Sequence, residues 1–411
     1  MFEMSPFWDC PACGKTEAYG VLSVGDSFYT RRCKICQHKE QLYLPEIDKK
    51  VIYVDQFVIS NMFLHANDPS KESPHKGFWI DLHNQIYRNV LLQAAIFPNS
   101  NIHMDESLVS RNYEGLRDTY RSISGDVSFC NTDDIEKRVI VDFAESWIAG
   151  NGIPEISYSV DDVLIDKRNK WLPKLRIEAN TDFSHFVDDI RSSRQSTSTE
   201  LAKLFKKWGN EKPSFKEIVE NESALYGQIY NQQRAEIIQR LIDEINGGEG
   251  LSLGHILGQA NVLSSILKRV FMSHGIDEQA CLKKITEFFY WDGLEQIPYN
   301  RISAYMFAAL ARKAAAGQKR PPNGGMLNDI RVISSFVPYV DAMLIDNECA
   351  ALLSEAPLST DLKYDAKIFC MNSKEDFLRY LVSIEESVSA EVRKAANEVY
   401  GLDSRPESGL E

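Results

Sequence analysis

Positions 51 to 55 read Val-Ile-Tyr-Val-Asp: four uncharged strand formers run straight into an aspartate, and an apolar turn that reads as a helix start follows. The pattern predicts that Asp55 stands at the carboxyl end of a buried strand. In open α/β sheets that edge is where ligands and active sites collect, because loops and helix amino ends converge there. A carboxylate so placed holds a divalent cation, does acid-base work, or simply caps the following helix.

A second stretch repeats the logic near the other end of the chain. Asn328-Asp329-Ile-Arg-Val-Ile-Ser-Ser-Phe reads as a capped helix, and Asp341-Ala-Met-Leu-Ile-Asp346-Asn-Glu348 as a short apolar strand that ends in acids. Between the two stretches, Asn101-Ile-His103-Met-Asp105-Glu106 again places acids after a short apolar segment. His103 reads as a hydrogen-bonded structural residue beside a strand, with a role at the site as its rival.

An early strand aspartate, a central glutamate opening a helix, an aspartate opening a later helix and a final acidic strand end together resemble the PIN-like nuclease fold, a family of metal-dependent ribonucleases. Matched by position, Asp55 is the first acid, Glu106 the second, Asp329 the third, and Asp346 or Glu348 the last, with Asp341 a further candidate. The likeness covers residues 47 to 125 and 303 to 385. Compact members of the family hold these acids in one small domain, whereas here a segment of roughly two hundred residues separates them. The resemblance implies a parallel sheet flanked by helices and a nucleic-acid substrate, single-stranded RNA before DNA. Carboxylates brought together repel one another unless a cation lies between them. Oxygen-only ligands suit Mg²⁺ or Mn²⁺, ions that activate water and hold a phosphodiester in line. Ser60, Asn61 and Ser100 are candidates for orienting water or phosphate.

The cysteines fall into two groups. Cys10, Cys13, Cys33 and Cys36 form C-x2-C-x19-C-x2-C, the spacing of a tetrahedral four-thiolate zinc site. Residues 1–46 are too short for a hydrophobic core of their own, so a zinc ribbon folded by its metal is expected there. Arg31, Arg32, Lys34, His38 and Lys39 cluster on its second knuckle, which suits phosphate contact or a docking surface. Cys130, Cys281, Cys349 and Cys370 repeat no ligand spacing and read as small buried hydrophobes.

At 411 residues, 44% hydrophobic and 26% charged, the chain has the balance of a folded protein of two or three domains. No apolar run approaches the length of a membrane span and no signal pattern opens the sequence, so no membrane partner and a cytoplasmic location are expected. A net charge of −13 argues against nonspecific polyanion binding over the whole surface. Two local basic runs run counter to it: Arg191, Arg194, Lys203, Lys206, Lys207, Lys212 and Lys216, and the acid-free Arg301, Arg312, Lys313, Lys319 and Arg320. The expected organisation is a ribbon over 1–46, the first half of the α/β domain over 47–150, a helical insertion over 151–300, the second half over 301–395, and a polar tail from 396.

Along that frame, periodicity predicts a helix from Trp79 to Phe97, a second strand up to His103, and helices from Asp105 to Ser122 and Thr132 to Ile148. The middle is helical in character. The polar run Ser192–Thr199 reads as an exposed loop, and Ala235, Ile237, Ile238, Leu241, Ile242 and Ile245 as one apolar core stripe. A closing helix is expected from Asp376 to Tyr400. The glycines at 247–250 and 254 lack the Lys-Ser/Thr of a phosphate loop. A phosphotransferase with Asp55 as nucleophile is disfavoured because Phe57 stands where the general acid belongs. The other alternative to a nuclease is a noncatalytic zinc-ribbon adaptor that binds nucleic acid or protein, with the acids as surface caps. A protein partner or inhibitor fits either reading, and the sequence leaves the oligomeric state open.

Overall fold

The computed structural model describes residues 7–68, 70–173, 187–247 and 259–402. The protein is mixed α/β and mostly helical. It has an N-terminal antiparallel sheet of three strands, β1 (Tyr19–Val24), β2 (Phe28–Cys33) and β3 (Lys39–Tyr43), and a parallel sheet of four, in the order β5-β4-β6-β7. The parallel strands are β4 (Lys50–Val54), β5 (Ala95–Ile96), β6 (Ala342–Leu344) and β7 (Lys367–Phe369). Ile52, Tyr53 and Val54 pair with Ala342, Met343 and Leu344, so chain segments from opposite ends of the sequence form the two central strands.

The apolar run of β4 is buried on both faces, as a parallel strand between helical layers must be. Its alternation sorts the core. Val51 and Tyr53 face one hydrophobic cluster with Met343, Phe336 and Ile345, while Ile52 and Val54 face another with Ala342, Leu344, Leu82 and Phe377. The helices that follow β4 are α1 (Gln56–Asn67), α2 (Lys76–Leu91), α3 (Asn101–Leu108), α4 (Tyr113–Ile123) and α5 (Thr132–Ile148). The middle segment supplies α6 (Val187–Glu211), α7 (Phe215–Gly247), α8 (Gln259–Ser273) and α9 (Glu278–Phe288). Then come α10 (Pro298–Ala315), α11 (Met326–Phe336), α12 (Asn347–Ser354), α13 (Leu358–Asp361), α14 (Lys374–Glu386) and α15 (Ala390–Tyr400). Helices α6 and α7 pack on α10, and their Leu201, Phe205, Trp208 and Ile218 join the core below the sheet. Helices α8 and α9 instead form a third cluster with α5. Among the described residues, no helix is long and apolar enough to cross a membrane.

Several expectations change. The second strand is Ala95–Ile96, not the segment after Pro98, because Gln93 adopts a left-handed φ of 58° and ends α2 early. Its side-chain amide then donates to the carbonyls of Val90 and Leu91 at 2.9 and 3.2 Å. The run Ser192–Thr199 is helix rather than loop; Thr197 and Thr199 bond back to the carbonyls of Ser193 and Gln195, which satisfies hydroxyls that would otherwise favour a turn. The described part of the apolar stripe of α7 is not core: Ala235, Ile238 and Ile242 are exposed and Ile237 is half-buried, while the side chains of Leu241 and Ile245 lie outside the described residues. The closing helix is two, separated where Ser389 caps α15 by accepting from the Val392 amide at 3.2 Å. The glycines at 248–250 and 254, and the tail from 403, lie outside the described residues.

Candidate metal centre

Asp55 leaves β4 and caps α1, its Oδ1 accepting from the Gln56 amide at 2.5 Å. Gln56 is itself held by Tyr120, whose hydroxyl donates to its Oε1 at 2.7 Å, and by Ser107 at 3.2 Å. Asp346 follows β6 by one residue and caps α12 in the same manner, with Oδ1 accepting from the amides of Glu348 and Cys349 at 2.6 and 3.0 Å. A cap uses one carboxylate oxygen. The other, Oδ2 of Asp346, is buried and makes no hydrogen bond of ordinary geometry. Asp329 lies in the first turn of α11 and its amide donates to Gly325. Oxygens of Asp329 and Asp346 and the sulfur of Cys349 all lie within 4.8 Å of one another.

Glu106, on α3, comes to the same place from a third direction. Asn328 donates to its Oε1 at 3.4 Å, and Arg194 of α6 pairs with that oxygen at 3.3 Å.

The electrostatics tie these acids to one locus. Burial, then the charges of Glu106 and Asp346, push the Asp55 carboxyl up to about 7. Burial, then the charges of Asp55, Asp346, Glu106 and Glu348, together push Asp329 up to about 9. Glu106 is raised by burial, against the pull of Arg194 and Asn328. Asp55, Asp329 and Glu106 thus resist ionisation at one strand edge, and at neutral pH the cluster keeps a proton. Cys349 is fully buried against Met326, and burial plus the Asp346 and Asp329 charges push its thiol well up. It therefore stays protonated beside the acids.

The structure brings Asp55, Glu106, Asp329 and Asp346 together, with Glu348 close enough to act on Asp329. It does not bring Asp341. That residue precedes β6, and its carboxylate accepts from the Val51 amide and from Lys50 Nζ, both at 2.8 Å. It pins the amino end of β4, three strand residues or about 10 Å from the acidic edge. The correction follows from strand direction, since an acid before a parallel strand lies at the opposite edge from one after it. His103 is structural: it caps α3 with Ser100 and stacks between Tyr53 and Tyr120, and burial lowers its imidazole to about 3. Ser100 has its hydroxyl in that cap, and Asn61 donates its amide to Phe57 within α1 at 2.7 Å.

Arg194, Asn328 and Cys349 are the neighbours that the sequence reading did not assign to the site. Arg194 belongs to a run marked only as basic, Asn328 precedes a marked acid, and Cys349 follows one; none carries a spacing that would single it out. Of the second basic run, Arg312 is held by Glu355 at 2.8 Å and by the Ala356 carbonyl.

At the other end, the sulfurs of Cys10, Cys13, Cys33 and Cys36 also lie within 4.8 Å of one another, with Cys10–Cys36 at 3.6 Å and Cys13–Cys33 at 3.9 Å. These separations exceed a disulfide and match the roughly 3.8 Å between vertices of a tetrahedron with metal–sulfur bonds of about 2.3 Å. The amides of Ile35 and Cys36 point at Cys33 Sγ, the knuckle arrangement that stabilises a thiolate. The four thiols are close enough to hold a metal ion such as zinc. Comparison with protein-family models, with curated proteins and with solved structures found no match.

Proposed function

We propose that this protein is a divalent-metal-dependent nuclease that hydrolyses phosphodiester bonds of single-stranded RNA at the acidic edge of a PIN-like sheet. One observation carries the reading. Acids at α1, α3, α11 and α12, drawn from two ends of the sequence, converge at the carboxyl edge of adjacent parallel strands, where burial raises Asp55, Asp329 and Glu106 and the charges of the neighbouring acids raise Asp55 and Asp329 further. A surface-cap role needs no such convergence, and it leaves Asp329 and Glu106 without a purpose. In this reading 47–150 and 301–395 form one nuclease domain and 151–300 is a helical insertion.

The residues fit a hard cation. Oxygen donors predominate, Asp346 Oδ2 is buried with no hydrogen bond of ordinary geometry, and raised carboxyls are what a dication would relieve. Asp55, Asp329, Asp346 and Glu106 would hold Mg²⁺ or Mn²⁺, with Glu348 at the rim. When bound, the ion supplies an activated water and stabilises charge on the phosphodiester. The chain contributes the positioning: Gln56 and the helix caps fix Asp55 and Asp346, and Asn328 and Arg194 orient Glu106. The ribbon would hold a structural Zn²⁺.

The experiment is a cleavage assay on labelled single-stranded RNA and single-stranded DNA with Mn²⁺ or Mg²⁺, beside Asp55→Asn and Asp329→Asn. Metal-dependent cleavage of RNA that both substitutions abolish is the expected result. Full activity in Asp329→Asn, or none in the parent with any nucleic acid, would remove the reading, and preference for DNA would correct the substrate.

A further inference from the structure

One face of the ribbon sheet is already occupied. Tyr29 donates its hydroxyl to Glu398 of α15 at 2.5 Å, and Arg31 reaches the same carboxylate at 3.4 Å while lying over the Trp8 ring. Strand alternation then sends Phe28, Thr30 and Arg32 of β2 to the opposite face. The register pairs Phe28 with Tyr43, Thr30 with Gln41 and Arg32 with Lys39, so two aromatic side chains stand opposite each other at one end of this face and two cations at the other. Phe28 is 44% exposed and Tyr43 90%, Arg32, Gln41 and Lys39 are exposed as well, and Thr30 between the two pairs is the buried residue of the face. Arg32 is steadied by a hydrogen bond to Gln37, and no acid from β2 or β3 joins this face: Glu40, the one acid on either strand, alternates to the docked side and accepts from Tyr19 at 2.9 Å.

Aromatic pairs left this open give up burial that a small module needs. Bases stack on such rings whatever their identity, and phosphates pair with cations along the same track.

We propose that this face of the ribbon is a platform for single-stranded RNA, with Phe28 and Tyr43 stacking bases and Arg32 and Lys39 holding the backbone. Two open rings beside two cations match the bases and phosphates of a single strand, which an acidic protein surface would match in charge alone. It rests on the nuclease reading only for the choice of RNA; the platform itself stands on register and exposure. Docking of the other face through Glu398 fixes the platform relative to the body, so a strand lying on it is presented by a rigid support.

The test uses full-length protein carrying Asp55→Asn and fluorescein-labelled single-stranded RNA of mixed sequence, with affinity read by anisotropy at several salt concentrations and without chelator. Phe28→Ala with Tyr43→Ala should weaken binding by about tenfold or more, as expected for loss of one or two stacked bases. Arg32→Ala with Lys39→Ala should make the slope of log affinity against log salt shallower by roughly 1.4, the value for two lost phosphate contacts on a single strand. Zinc content equal to the parent's, with a full ribbon signal in hydrogen exchange, verifies that each variant is folded. Unchanged affinity and slope in folded variants overturn the proposal. So does a change from dimer to monomer in light scattering without a change in RNA affinity, which would make the face a self-interface. Tight, face-dependent RNA binding by a parent that cleaves nothing would remove the nuclease reading and leave the platform; cleavage with the platform variants binding normally would do the reverse.

Discussion

The amide of Asp55 donates to the carbonyl of Leu344 at 3.0 Å. This bond carries the ladder from the last residue of β6 to the first residue beyond β4, and it sets the first acid of the cluster beside the segment that carries Asp346. Neither acid gains its position from local sequence alone. Each depends on a strand partner supplied by the distant half of the chain, so the cluster exists only when both halves are folded.

Removing one charge from that cluster should change the response to metal more than it changes the fold. Asp55→Asn keeps the size and the cap, since Asn caps nearly as well as Asp. The variant should melt no lower than the parent in metal-free buffer and gain much less from Mn²⁺. The parent should gain about 2.7 kcal/mol when free metal is a hundredfold above its dissociation constant. Melting curves with and without Mn²⁺ decide it; equal gains in both proteins would show that Asp55 is only a cap.

The raised carboxyls also fix the sign of a pH effect. Asp55 at about 7 and Asp329 at about 9 both hold protons in the folded state that the unfolded chain releases near pH 4. Their contribution to stability is therefore full below that pH and is lost as pH rises through 7 and towards 9. Metal-free parent should lose on the order of 2 kcal/mol more than Asp55→Asn between pH 5 and pH 7. Denaturant titrations at the two pH values give the difference, and saturating Mn²⁺ should abolish it. A parent that gains stability relative to the variant over this window would mean the acids are paired with cations instead.

How much of this is visible in the sequence depends on the range of the interaction that fixes each residue. Val51 to Val54 are buried between two helical layers, and an uninterrupted apolar run is the local trace of that environment. The strand Ala342–Leu344 leaves the same trace. Ala94 to Phe97 are as apolar, but their run continues that of α2, and the break between them at Gln93 rests on a left-handed backbone and on a bond from the distant Leu172 amide to its side chain. The same holds at the site. Acids after apolar strands can be picked out one by one, but the edge each occupies follows from strand direction, which places Asp341 away from Asp346 although only four residues separate them. Arg194 is harder still, since nothing in α6 distinguishes it from Arg191 except what it meets in space.

Asp341 gives a contrasting substitution. Asp341→Ala removes the acceptor of the Val51 amide and the partner of Lys50, so it should lower stability by about 1–3 kcal/mol and leave the Mn²⁺-dependent gain intact. Lost metal response in a folded Asp341→Ala protein would return this residue to the site.

The ribbon and the body should separate under metal removal. Cys10→Ser with Cys36→Ser should abolish binding of the roughly one zinc per chain expected for a four-cysteine site and free the amides of β1 to β3 to exchange, while those of β4 and β6 stay protected. Zinc retained in full would exclude the four-cysteine site. Global unfolding would show instead that the contacts of Tyr29 and Arg31 with Glu398 carry the stability of the body.

Arg194 allows the sharpest test of how the insertion serves the acids. Its guanidinium pairs with Glu106 at 3.3 Å and opposes the rise of that carboxyl, so in metal-free protein it supplies part of the positive charge that a dication would otherwise supply. Two cations competing for one carboxylate should disfavour each other. Arg194→Ala should therefore destabilise the metal-free protein, because Glu106 is left buried without its partner, and should tighten Mn²⁺ binding on the order of threefold to tenfold at the effective dielectric of a half-buried site. Arg194→Lys keeps the charge without the fork and should fall between the two. If Arg194 serves only to contact the phosphate of the substrate, calorimetric titration with Mn²⁺ will give the parent affinity in Arg194→Ala while KM for RNA rises. Tighter metal binding together with a lower kcat would show that the same side chain guards the site when it is empty and turns to the substrate when it is filled.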